Sequence, residues 1–250
     1  MIKKEKLFDY SLLSKAINVF KKFTLKSLEN QTNKNFEIIL KIHNEISENS
    51  KAILELKSIK SSIKINILRK NETDNFIDNN AKEIDFLITT RIDHDDLIYY
   101  NAVNDVQKKC NYNIPLYYNG YIKGITMINN DYKNCFKFYP TYGNYRGTHS
   151  AFQSLVVNKK KVSKNLNIYS LGPHSDQIDR FKSLFNGFEF DKSFFNVNKD
   201  EDTYIYVKHD FNHSTFKNPK LREKWHRTNI KVNYNKEWFI ERFGNFIDED

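Results

Sequence analysis

Residues that punctuate or staple a chain are scarce in this sequence: 7 glycines, 4 prolines and 2 cysteines among 250 residues. Two cysteines, Cys110 and Cys135, cannot form a disulfide framework. Neither belongs to a C-x-x-C pair or stands at ligand spacing from a histidine, so both are read as reduced core residues. The few glycines form no P-loop, no G-x-G-x-x-G and no G-x-S-x-G, which removes the commonest phosphate-loop, dinucleotide and serine-hydrolase signatures. No apolar run approaches the length of a membrane span, and residues 1–6 are charged without an apolar segment behind them. The expectation is a soluble, cytoplasmic chain with at most peripheral membrane contact.

Aromatic residues, by contrast, are plentiful. With 20 Phe, 15 Tyr and 39% hydrophobic residues, the chain can bury a large core within one domain. The net charge of +9 and pI near 9.2 would suit nucleic acid, an anionic membrane surface or a phosphorylated ligand. The lysines are nevertheless spread along the whole chain. Their tightest run, Lys159-Lys160-Lys161, reads as a solvated turn.

Apolar periodicity predicts an amphipathic helix over 16–29, a strand over 36–42, a helix over 46–59, a strand over 63–68, a short helix over 76–81 and a strand over 84–90. Alternation of this kind implies βαβ crossovers and a mostly parallel central sheet flanked by helices, with a crevice at the carboxyl ends of the strands. A helix over 97–109 follows. Residues 114–128 and 136–139, broken at Asn119-Gly120, Lys123-Gly124 and Asn129-Asn130-Asp131, then read as antiparallel hairpins. A glycine-flanked loop at 141–150, a strand at 167–171, a helix at 176–185 and a strand at 204–207 complete the body. Residues 1–215 are taken as the domain, and 216–250 as a basic and aromatic C-terminal helical appendage.

The sharpest chemical feature is E-I-D-F-L-I-T-T-R-I-D-H-D-D at 83–96, a buried strand pattern that ends at Asp93, Asp95 and Asp96 just after Arg91. Asp93 and Asp95 alternate in the strand sense, so both carboxylates can face one way and hold a hard cation such as Mg²⁺ or Mn²⁺. The competing assignment is an acidic turn in which Asp95 or Asp96 caps the following helix. A nucleic-acid-binding module would explain the charge and aromatics, but not carboxylates at a strand end. A metal-dependent nuclease or phosphotransferase would want further acidic ligands, and only Asp210 offers itself late in the chain.

The order of these segments resembles a known group. L-K-S-L-E-N-Q-T-N-K-N-F-E-I-I-L at 25–40, Asn71, Asn79-Asn80-Ala81 and F-L-I-T-T-R-I-D-H-D-D follow one another as in glycosyltransferases of the GT-A fold. The T-R-I-D-H-D-D form, with Y-V-K-H-D-F-N-H-S at 206–214, is similar to the rhamnosyltransferase family. The resemblance covers about residues 7–214. It implies transfer of rhamnose or a related hexose from a nucleoside-diphosphate-sugar to a saccharide acceptor, with inversion and with Mn²⁺ or Mg²⁺ neutralising the diphosphate.

On that resemblance Asp95 holds the cation and Asp93 lies nearer the ribose or the metal waters. Asp96 orients the loop or touches the sugar, Arg91 adds a charge-assisted contact, and His209 completes the coordination. His213 is a less favoured substitute for His209, and a zinc site using both lacks a third ligand. The base candidates are Asp176 and Asp179, at the start of the 176–185 helix, and His149; His174 competes with them. Two departures stand out: the Glu-Asp pair that many relatives carry is missing, and His43-Asn44 stands where many place an aspartate for the nucleotide base.

Overall fold

The structure, a computed structural model, describes residues 9–121, 123–138, 152–162, 166–172, 177–185, 194–198, 202–209 and 230–247. The chain opens with α1 (Tyr10–Lys22), whose first turn is capped by Asp9 accepting from the Ser11 amide, and α2 (Thr24–Glu29). β1 (Ile38–Ile42), α3 (Lys51–Lys57) and β2 (Ile65–Arg69) form a βαβ unit with parallel pairing. α4 (Thr73–Asn80) leads to β3 (Phe86–Arg91), the strand that ends at the acidic motif. The two-residue β4 (Leu97–Ile98), α5 (Ala102–Lys109), β5 (Leu116–Tyr121), β6 (Gly124–Ile128), β7 (Asp131–Phe138) and β8 (Gln153–Asn158) follow. A 3-10 turn (Ile168–Leu171), α6 (Gln177–Ser183), β9 (Phe195–Asn198), β10 (Tyr204–Lys208) and α7 (Lys236–Phe243) follow among the described residues.

The expected mostly parallel central sheet is not what forms. The strands make three sheets, ordered β1-β2, β4-β10-β6-β7 and β3-β8-β5-β9. Among the described residues four of the seven strand pairings are antiparallel. The reason lies in β8, which inserts between β3 and β5 and runs antiparallel to both. Every residue of β8 is buried. Phe152 and Val156 face one core cluster, while Leu155 and Val157 face a second. A strand apolar on both faces carries no period of two, so its sequence signals burial without direction or neighbour.

Three local expectations change as well. Leu97 and Ile98 are strand, paired with Ile205 and Tyr204, so the helix begins only at Ala102 and neither Asp95 nor Asp96 caps it. Asn119-Gly120 lies inside β5 and is no turn; β5 and β6 belong to different sheets. The 167–171 segment is a 3-10 turn with an Asn167 capping box, not a strand. The β6-β7 hairpin does form where Asn129-Asn130 predicted it, both residues having positive φ, 54° and 61°, as the tight primed turns require.

The larger core cluster joins Phe20, Phe23 and Leu28 of the first helices to Leu97, Ile125 and Val207, and to Phe239, Phe243 and Phe246 at the C-terminal end. The 236–247 segment is thus packed into the same core as the strands. It is also tied by Tyr100 N donating to Arg242 O at 2.7 Å. Just before it in the chain, Tyr234 Oη donates to Asp202 Oδ2 at 2.6 Å in a partly buried cluster with Lys137 Nζ, 2.5 Å from the same oxygen. Cys110 and Cys135 are free and buried, and burial pushes both thiols up to about 12, which suits inert core residues. Among the described residues no helix is long and apolar enough to cross a membrane.

Candidate active site

The acidic motif is shaped by two long-range pairings. β3 delivers Arg91 at its end, opposite Gln153 of β8, and the chain then turns through Asp93-His94-Asp95-Asp96, closed by Asp96 N donating to Asp93 O at 3.3 Å. β4 next runs antiparallel to β10, with Leu97 opposite Ile205. Continued past Leu97, that register carries the end of β10 back along the acidic turn. Val207 N donates to Asp96 Oδ1 at 3.2 Å, and His209 Nε2 lies 3.2 Å from Asp95 Oδ2.

The three aspartates therefore occupy three environments. Asp93 is partly exposed and faces Arg91, Nη2 to Oδ1 3.5 Å. Asp95 is buried against His209. Asp96 has no solvent exposure, and its Oδ2 has no hydrogen-bond partner among the described residues. Burial, reinforced by the charges of Asp95 and Asp93, raises the Asp96 carboxyl well above the carboxylate range, against the Val207 amide and Lys208, which pull it down. Lys208, beside His209, is pushed down to about 8 by burial, although Asp96 and Asp95 favour its charge; its Nζ stands 3.8 Å from the centre of the Tyr206 ring.

A second group of side chains gathers at the ends of β1 and β3. Tyr169, on the 3-10 turn, has Lys41 Nζ 3.8 Å from its ring centre and the Arg91 guanidinium carbon 5.7 Å from it. The 3-10 turn is fastened to β3 by Ile168 N donating to Thr89 Oγ1 at 2.8 Å, and to α4 by Asn167 Nδ2 donating to Asp74 Oδ1 at 2.9 Å. Burial lowers the Lys41 ammonium; Asp74 opposes this, while Lys70 and Arg91 add to it. Nearby, Asn44 accepts from the Asn71 amide at 3.3 Å and from the Arg69 side chain through its carbonyl. Two cations stacked on one aromatic ring, next to a carboxylate turn, make a surface complementary to an anion that also carries a cation.

The structure thus pairs Arg91 with Asp93 and Asp95 with His209 along one turn, without gathering Asp93, Asp95 and His209 into one set of three ligands, and places Asp96 in the interior. Asp179 is exposed on α6. Asp176 and His149, with His174, Asp210 and His213, lie outside the described residues. Lys41, Tyr169 and Lys208 were not picked out from sequence. Lys41 sits in an ordinary strand pattern, Tyr169 in a segment read as a strand, and only the adjacency of Lys208 to His209 could have drawn notice.

Asp95 and His209 also fit a divalent cation. Donor atoms at adjacent octahedral positions, each ~2.1 Å from the ion, stand about 3 Å apart, close to the separation of these two. One carboxylate with one imidazole suits Mn²⁺ or another first-row ion better than it suits Mg²⁺. Among the described residues no group of three His, Cys, Asp or Glu gathers to enclose an ion, so any remaining positions would fall to water or to the ligand's own oxygens.

The described residues form a mixed α/β fold with an acidic turn at a strand end, flanked by cations and an aromatic ring. The particular family is given by comparison: the model of a family described as "Putative rhamnosyl transferase" matches residues 2–170, two thirds of the chain, and the chain belongs to that family. Its activity class is accordingly glycosyl transfer, with a sugar donor and an acceptor as substrates. The match includes the acidic turn and Tyr169 and ends before His209. No curated protein matches the chain.

Proposed function

We propose that this chain is an inverting glycosyltransferase of the GT-A type, which moves rhamnose or a related hexose from a nucleoside-diphosphate-sugar to a saccharide acceptor. The observation that carries this is the meeting of Asp95 with His209 at 3.2 Å, from positions 114 residues apart, at the end of the strand that presents Arg91 and Asp93. Asp95 and His209 would hold Mn²⁺ or Mg²⁺, which when bound supplies charge neutralisation to the departing diphosphate. Arg91 and Lys41, both against the Tyr169 ring, add positive charge for the phosphates. Asp96 acts from the interior, shaping the turn through the Val207 amide.

In the reaction a base removes the acceptor hydroxyl proton, the oxygen attacks the anomeric carbon, and the nucleoside diphosphate leaves from the opposite face. Asp176, Asp179 and His149 are the base candidates. Residues 1–215 form the transferase domain in this scheme. The 216–250 segment adds a basic, aromatic end whose α7 packs on the domain, and the protein works in the cytoplasm, at most peripheral to a membrane.

The test is thermal denaturation with UDP- and dTDP-sugars, with and without Mn²⁺. A nucleotide present at a hundred times its Kd adds about 2.7 kcal/mol to the folded state, a shift of several degrees. The wild type should show that shift only with the cation, and Asp95→Asn should abolish it. No shift with any donor, or a full shift in the variant, refutes the site. Tight salt-sensitive binding of oligonucleotides without metal would instead favour a nucleic-acid module.

A further inference from the structure

The acidic turn is gripped from behind by a residue outside the motif. Thr24, the first residue of α2, is 1% exposed, and its Oγ1 lies 3.2 Å from the carbonyl oxygen of Asp93 and 2.8 Å from that of Asp96. These are the first and last residues of the turn that Asp96 N closes onto Asp93 O. A threonine hydroxyl has one proton, so it is shared between the two carbonyls and draws them together. The direction in which the Asp93 and Asp95 side chains leave the backbone follows from that closure.

Thr24 is itself held rigidly. Its carbonyl accepts from Ser27 Oγ at 2.9 Å. Gln31, two residues beyond α2, donates to Ser27 O at 3.0 Å and to Tyr99 O at 2.9 Å, while its Oε1 accepts from Val103 N at 3.0 Å. The S-L-E-N-Q segment thereby locks α2 to the chain that leaves the acidic turn. Phe23, adjacent to Thr24, packs on Phe246 with ring centres 5.9 Å apart, so the C-terminal segment braces the same corner.

We infer that Thr24 is a positioning residue for the cation-binding turn: it touches no substrate and acts through the backbone carbonyls of Asp93 and Asp96. The inference rests on the donor-site assignment proposed above for its consequence, and on the hydrogen bonds alone for its structural content. The hydroxyl is the operative group, which separates this role from the packing of the threonine methyl.

The experiment compares wild type, Thr24→Val, which keeps the shape and removes the hydroxyl, and Thr24→Ser, which keeps the hydroxyl. Hydrogen exchange is followed across residues 92–98 and across β8, and Mn²⁺ alone is titrated into each protein. In Thr24→Val the 92–98 amides should exchange about tenfold faster and Mn²⁺ should bind about tenfold more weakly, the effect of one lost buried hydrogen bond, with β8 unchanged. Thr24→Ser should stay within about twofold of wild type on both readouts, since the bond is retained. Unchanged exchange at 92–98 in Thr24→Val overturns the inference, as do equal losses in the serine variant and faster exchange with unaltered Mn²⁺ affinity. A wild type that binds no Mn²⁺ refutes the cation site itself, a result distinct from any of these because the exchange comparison is made without metal.

Discussion

Asp96 gives the most direct test of the electrostatics of this site. Its carboxyl is fully buried, with one oxygen accepting from the Val207 amide, and Asp95, Asp93, Lys208 and Tyr204 are the titratable groups that interact with it electrostatically. Burial first, then the charges of Asp95 and Asp93, raises its pKa, so the folded protein keeps a proton that the unfolded chain releases near pH 4. With the folded value above the unfolded one, stability falls as pH rises between the two, by about 1.4 kcal/mol per pH unit, and levels off above the folded value. Asp96→Asn keeps the shape and the bond to Val207 but cannot ionise. In urea denaturation with a chelator present, the variant should therefore gain on wild type by about 1.4 kcal/mol for each unit between pH 4 and the folded value. A difference that stays flat with pH, or one that shrinks as pH rises, would show that Asp96 is ionised in the folded protein and would refute the reasoning.

Two further outcomes concern the C-terminal segment. Lys137→Met should cost about 3–5 kcal/mol, because Asp202 would remain buried without its cation. Burial alone would lower the Lys137 ammonium, but its bonds to Asp202 and Tyr234 raise it above the ordinary range. The contribution of Lys137 is therefore complete below the unfolded lysine value near 10.4 and is lost only at higher pH, so the loss should be constant from pH 6 to 9 in chemical denaturation; a loss that varies across that window contradicts the assignment. Phe239→Ala empties a site with no solvent exposure, bordered by Trp238, Tyr132 and Phe246, and should cost about 3–5 kcal/mol in the same assay, whereas a loss under about 1 kcal/mol would show that α7 is dispensable to the core.

Much of the site was legible in sequence because it is local. An apolar run stopping at D-x-D-D predicts a strand end bearing carboxylates, and Asn129-Asn130 predicts a turn, since period and turn chemistry depend on a few adjacent residues. Leu97 and Ile98 show the limit of that logic. Their pattern merges into the helix that follows, yet pairing with Tyr204 and Ile205, more than 100 residues away, makes them a strand. Helix propensity differs by only tenths of a kcal/mol among ordinary residues, so a buried ladder outweighs it.

The sequence by itself determined that three aspartates and an arginine stand at the end of a strand, although β3 is only partly buried where its apolar run predicts full burial. Only the tertiary structure decided that β8 reverses the central sheet, that Asp96 turns inward while Asp95 meets His209, and that Lys41, Tyr169 and Thr24 belong to the same corner. The physical reason is range: side-chain period and turn type are settled between neighbours, whereas strand direction, desolvation and the sharing of one hydroxyl between two carbonyls are settled between residues distant in the chain, such as Thr24 and Asp93, 69 positions apart, or Asp95 and His209, 114 apart.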